Sequence, residues 1–181
     1  MSYQPETPYL IRVNNRMKKK EVNILAVNPG TKYVGLAVFH GSDLVYWGIK
    51  VLKGKWSKEK MKCLEKTLLG LIDQHNITTL VIKKVDSSRT SRNLDALVAS
   101  IEKYAKNRKL KICPYTLSEL KKFLALGNRI NKMEIAGLAV ARYQFLIHQL
   151  EKERKHKHPY FVRMFEAIAA GILAFNRIKR K

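Results

Sequence analysis

LAVNPGTKYVGLAVF, residues 25–39, decides the reading of this chain. An apolar run ends in Asn28-Pro29-Gly30-Thr31, and a second apolar run follows at once. Short apolar runs either side of a Pro-Gly pair read as two strands joined by a tight connection. Downstream, HGS at residues 40–42 is a turn, and DLVYWGIKVL at 43–52 is a third strand. The three form a meander.

The pattern then changes period. SKEKMKCLEKTLLGLIDQH carries Met61, Leu64, Leu68, Leu69 and Ile72 at helical spacing, and Ser57 can cap its start. TTLVIKKV (78–85) is a β-branched strand. SRNLDALVASIEKYAKNR is a helix with Leu94, Leu97, Val98, Ile101 and Tyr104 on one face, and KLKICPY (109–115) is a strand. Thr116 and Glu119 form a T-x-x-E capping box that opens a short helix. Asn131 and Glu134 repeat that layout and open one long helix through residue 153. A last helix covers residues 160–178. The order βββ-α-β-α-β-α-α-α predicts an α/β fold with a mixed five-stranded sheet flanked by helices. A meander followed by β-α units resembles the RNase H-like arrangement, which implies that the first and fourth strands lie parallel and adjacent with their C-terminal ends at one edge, where open α/β sheets place ligand sites. The domain spans residues 22–178. Residues 1–21 are expected to be a basic, flexible arm and 179–181 a basic tail.

Charge bounds the partner. Lys and Arg number 36 against 14 acids, a formal net charge of +22. That excess points to a polyanion. Basic clusters recur in RMKKK (16–20), KVLKGKWSKEKMK (50–62), KYAKNRKLK (103–111), KERKHKH (152–158) and RIKRK (177–181). They read either as phosphate contacts or as solvated faces. KGKWSK is the most pointed. Trp56 between Lys53, Lys55 and Lys58 is placed either to stack on a base or to pack over the sheet edge. Trp47, inside a strand, is expected in the core. Cys63 and Cys113 form no CxxC and no disulfide framework, and are expected to be buried free thiols. No apolar run reaches membrane-spanning length, and the N-terminus lacks a signal-peptide core. A cytoplasmic or organelle-matrix protein, not secreted, is expected.

The ordered motifs resemble one family. ILAVNPGTKYVGLAVF resembles the opening strand-turn-strand of the RuvC Holliday-junction resolvases and their RNase H-fold relatives. LVIKKV stands where that family has an apolar strand ending in glutamate. YTLSELKKFLALGNRINK is similar to a stretch with Tyr, Lys, Gly and Lys at the offsets of Tyr115, Lys121, Gly127 and Lys132. FEAIAAGIL resembles the start of the family's last helix. The resemblance runs in order over about residues 22–178 and implies an RNase H-like fold.

The resemblance also implies a site of four carboxylates holding two Mg²⁺ ions that cut phosphodiesters. Carried over position by position, those acids fall on Asn28, Lys83, Arg163 and Glu166. One carboxylate of four remains, and two cations face it. The expectation is a catalytically inactive protein with no metal and no cofactor, in which the Lys83 ammonium or the Arg163 guanidinium takes the place of the lost metal beside Glu166, or the two serve as a phosphate clamp. The implied junction-probing residue is also missing, because the loop DSSRTSR carries Asp86 near that point. Expected nucleic-acid contacts are Lys18, Lys19, Lys20, Lys53, Lys55, Trp56, Lys83, Arg89, Arg92, Lys121, Lys132 and Arg163. RNA within a ribonucleoprotein is favoured over branched DNA. Two rival readings stand beside this one. The first is an active metal-dependent endonuclease using Asp86, Glu134 and Glu166. The second is a protein scaffold in a larger assembly, and a homodimer is also open.

Overall fold

The computed structural model describes residues 22–85, 90–124, 131–155 and 160–180. Five strands form one sheet: β1 (Asn23–Asn28), β2 (Tyr33–His40), β3 (Asp43–Val51), β4 (Thr79–Lys83) and β5 (Lys111–Tyr115). Their order is β3-β2-β1-β4-β5. The meander pairs antiparallel, whereas β4 lies parallel to β1 and β5 parallel to β4. The expected adjacency of the first and fourth strands is present, with Val27 opposite Ile82. Pro114 sits in β5, an edge strand, where its missing N–H costs no ladder bond inside the sheet.

Strand side chains alternate faces. Leu25 and Val27 of β1, with Leu80 and Ile82 of β4, face helices α1 (Lys58–Gln74) and α2 (Arg92–Asn107). Ile24 and Ala26 of β1, with Val81 of β4, face α3 (Leu117–Phe123), α4 (Lys132–Arg142), α5 (Ile147–Lys155) and α6 (Val162–Lys179). Helix α6 is the central element of that second layer, with eleven of its residues buried. Small residues let it approach the sheet. Ala26 pairs with Ala37 beneath it. A Cβ on Gly35 would run into the Arg163 carbonyl, and one on Gly171 into the Phe39 ring. This close seating fixes where the first turns of α6 meet the sheet edge. Among the described residues no helix is long and apolar enough to cross a membrane.

Three expectations are corrected. The long helix predicted through residue 153 is broken into α4, a 3₁₀ turn (Gln144–Leu146) and α5. At the break Tyr143 has φ −128°, ψ 82°, and its hydroxyl donates to the Ser42 carbonyl at 2.8 Å. Anchoring that side chain on the β2–β3 turn, with Leu146 buried three residues on, outweighs helical continuity. Cys63 is exposed and Cys113 only half-buried. Cys63 lies one residue off the buried stripe of Leu64, Leu68, Leu71 and Ile72. Trp47 is half-buried, its ring 4.7 Å from that of Phe145. Both predicted capping boxes, Thr116–Glu119 and Asn131–Glu134, are formed.

Candidate functional site

Period-two alternation aims the last residues of the central strands at α6. Asn28 ends β1 on the face of Ala26, and Lys83 ends β4 on the face of Val81. Arg163 and Glu166 lie one turn apart at the start of α6. The four predicted positions therefore meet at the C-terminal ends of β1 and β4.

Glu166 is the hub. Its side chain is 3% exposed, and its Oε2 accepts from Lys83 Nζ at 2.7 Å and from Asn28 Nδ2 at 2.7 Å. Asn28 is wholly buried, and its Nδ2 also points at the Arg163 carbonyl, 3.4 Å away. Lys83 keeps one flank toward solvent, its side chain being 24% exposed. A buried carboxylate needs such charged and hydrogen-bonding partners.

Arg163 takes a different place from Lys83. An ammonium or a guanidinium was expected at Glu166, and the ammonium of Lys83 is the one that reaches it. Arg163 Nη1 donates instead to the Pro29 carbonyl at 2.8 Å. The guanidinium occupies the space beside Gly30, where a Cβ would lie 2.6 Å from Cζ. The Asn-Pro-Gly connection is thus clamped to α6 by an arginine. The rigid guanidinium fork suits a carbonyl that a turn leaves exposed to it.

Tyr115, which the sequence reading placed in a motif but not in the site, lines it. It ends β5 opposite Lys83 and is 2% exposed. Burial raises its phenol well above the usual value; nearby Glu166 adds to the rise and Arg163 opposes it. Its hydroxyl and Asn28 Oδ1 are buried polar atoms with no partner among the described residues. A strand-end tyrosine in register with Lys83 was the available signal.

The other predicted residues divide. Lys53, Lys55, Arg92 and Lys132 are exposed, and Lys121 is half-buried on α3. Trp56 is half-buried; it packs on the α1–α2 side of the core and lines a cavity with Lys53. Lys18, Lys19, Lys20, Arg89 and Asp86 lie outside the described residues. Glu134, an acid of the rival nuclease reading, has its Oε2 accepting from Asn131 N at 2.8 Å as its helix cap. Among the described residues no three His, Cys, Asp or Glu side chains converge as a metal cluster. A separate apolar groove of about 460 Å³ between β5 and the far half of α6, walled by Cys113, Tyr115 and Leu173, contains none of the predicted contacts.

Sequence comparison finds no matching family model and no matching curated protein. Solved structures do match. Thermus thermophilus RuvC superposes with a TM-score of 0.67 at 14% identity, covering 88% of this chain and 97% of that one. The same protein in complex with a Holliday junction substrate gives 0.66 at 14% identity, covering 87% and 96%. The yeast mitochondrial Holliday junction resolvase gives 0.56 at 13% identity, covering 88% and 81%. Strand order, the parallel β1–β4 pair and α6 across their ends agree with that likeness, and this chain has the RuvC-type RNase H-like fold.

Proposed function

We propose that this chain is a non-cleaving nucleic-acid-binding protein built on the RuvC-type fold. The observation that carries the proposal is the ion pair between Lys83 and Glu166 at 2.7 Å. Hard divalent cations need charged oxygen donors, and a two-ion phosphodiester site needs several at once. Of the four positions that the resemblance assigns to metal ligands, Glu166 alone has a carboxylate, and an ammonium and an amide already hold its Oε2. The donor set does not fit a divalent pair. An ammonium does fit, since it brings the positive charge without needing further carboxylates.

Binding rests on the net charge of +22, on basic groups spread along the chain, and on fold neighbours that include a RuvC in complex with a Holliday junction substrate. Structured RNA is favoured over branched DNA. Basic clusters dispersed from residue 16 to residue 181 suit contact on many sides, and Asp86 stands where an apolar junction probe is implied. Residues 22–178 form the binding domain, and the basic arm and tail extend its reach.

Gel shifts against structured RNA, duplex DNA and a four-way junction, run across a salt series, test this reading. Affinity is expected to fall steeply with salt, each neutralised phosphate adding about 0.7–0.9 to the log–log slope. A slope near zero for all three would favour a protein scaffold.

A further inference from the structure

A second cavity opens where β3 ends. It measures about 480 Å³ and is lined by Thr31, Lys32, Lys53, Trp56, Lys60 and Asn93, with Val51 and Leu52 also in the lining. That size is in the range of small-molecule pockets. β3 runs parallel to β1, since each is antiparallel to β2, so its C-terminal end lies on the same sheet edge as Asn28 and Lys83. Two strand spacings separate β3 from β1, about 10 Å. The cavity therefore opens at the same end of the sheet as Asn28 and Lys83, while Trp56 packs with the α1–α2 side and those two residues face α6.

The cavity is assembled from three chain segments with fixed geometry. Leu52 N donates to the Lys32 carbonyl at 2.8 Å, joining the start of β2 to the end of β3. Gly54 turns the loop at φ +78°, a conformation that disfavours other residues. Lys60 Nζ donates to the Gly54 carbonyl at 2.8 Å, which ties the first turn of α1 to that loop. Ser57 Oγ accepts from Lys60 N at 3.3 Å and caps the helix directly after Trp56. Trp56 is thus held between a glycine turn and a helix cap. Half-buried, Trp56 both packs on the core and lines the cavity.

The chemistry of the lining is specific. Three lysines, a threonine and an asparagine line the cavity beside one indole, and no carboxylate is among the described lining residues. The lysines match phosphate, the indole offers a stacking face, and Thr31 and Asn93 offer hydrogen bonds to a base edge or a sugar hydroxyl. A paired base presents no free face to Trp56; an unpaired one does.

We propose that this cavity binds one unpaired nucleotide of a nucleic-acid strand, with its base on Trp56 and its phosphates on Lys32, Lys53 and Lys60. The proposal rests on the nucleic-acid reading above and gives it a substrate class: strands with single-stranded segments. Such a site favours looped or partly single-stranded molecules over perfect duplex.

The test uses the full chain carrying Trp47→Phe, so that Trp56 is its one tryptophan. Three labelled oligonucleotides of equal length are titrated at low salt: a single strand, the same strand with abasic residues throughout, and a duplex. Anisotropy reports binding and Trp56 fluorescence reports stacking. All three are expected to bind, and the base-containing single strand alone is expected to quench Trp56. Trp56→Leu, which keeps apolar packing but removes the ring, is expected to weaken single-strand binding about tenfold, as for one lost stacked base, and to leave the abasic strand unaffected. Equal quenching by the abasic strand, or unchanged affinity of a folded Trp56→Leu variant, would overturn the pocket while leaving the broader reading intact. Failure of all three oligonucleotides to bind would overturn both.

Discussion

Lys83 and Glu166, 83 residues apart in sequence, meet at 2.7 Å where β4 ends under the first turns of α6. The carboxylate is almost wholly buried, and the ammonium is partly open. Removing the lysine leaves Glu166 with the Asn28 amide as its remaining described donor. Fully buried pairs lose about 3–5 kcal/mol when one partner is deleted. With Lys83 at 24% exposure a smaller loss is expected. Lys83→Met should destabilise the fold by about 2 kcal/mol in urea titration. A double-mutant cycle with Glu166→Gln should return a coupling of about 1 kcal/mol or more. A coupling near zero would mean that the pair is incidental.

The second expectation concerns Tyr115. Its phenol is raised by burial, so the folded state favours the neutral form. A group raised on folding contributes stability that is complete below its unfolded value, about 10, and lost as pH climbs through the folded value. Melting temperatures of wild type should therefore fall more steeply above pH ~10 than those of Tyr115→Phe. Near neutrality the phenylalanine variant should be as stable or more so, because the lost hydroxyl has no partner among the described residues. A large loss at pH ~7 would reveal a bond that the hydroxyl makes in solution.

How far the sequence discloses this arrangement depends on the kind of signal. Asn28, Lys83 and Glu166 were legible through the family resemblance that assigned them, and period-two alternation with the parallel β1–β4 pair explains why the two strand ends meet α6. The capping boxes were legible because they are local. The destination of Arg163 was not, because Gly30 offers room beside a free carbonyl and no pattern encodes that. The break at Tyr143 depends on a hydroxyl reaching Ser42, 101 residues away. The cavity around Trp56 was half legible: KGKWSK announced the tryptophan and Lys53. Lys32 joins them through the register that sets Tyr33 opposite Val51. Cys63 misled because its apolar sequence surroundings suggest burial, whereas on α1 it lies off the stripe of Leu64, Leu68, Leu71 and Ile72.

On the proposed reading of the Lys83–Glu166 site, placing acids there should create a metal dependence. Asn28→Asp, Lys83→Glu and Arg163→Asp together gather four carboxylates where one now sits with its counter-ion. Without metal these repel one another, and the variant should melt well below wild type. Mg²⁺ should raise its melting temperature, since a ligand that binds only the folded state stabilises it by mass action. At matched ionic strength Mg²⁺ should leave wild type unshifted. A Mg²⁺-specific rise in wild type would place a metal site elsewhere on this chain.

The most direct test of the central claim is a cleavage assay with the unmodified protein. Four-way DNA junctions, duplex DNA and structured RNA are incubated with excess protein in Mg²⁺ or Mn²⁺ and resolved on denaturing gels, with retardation followed in parallel native gels. Retarded complexes with every strand intact are the expected result, because on the proposed reading the ion pair of Lys83 with Glu166 stands in place of a metal site. Metal-dependent strand cutting that disappears in Glu166→Ala would contradict it.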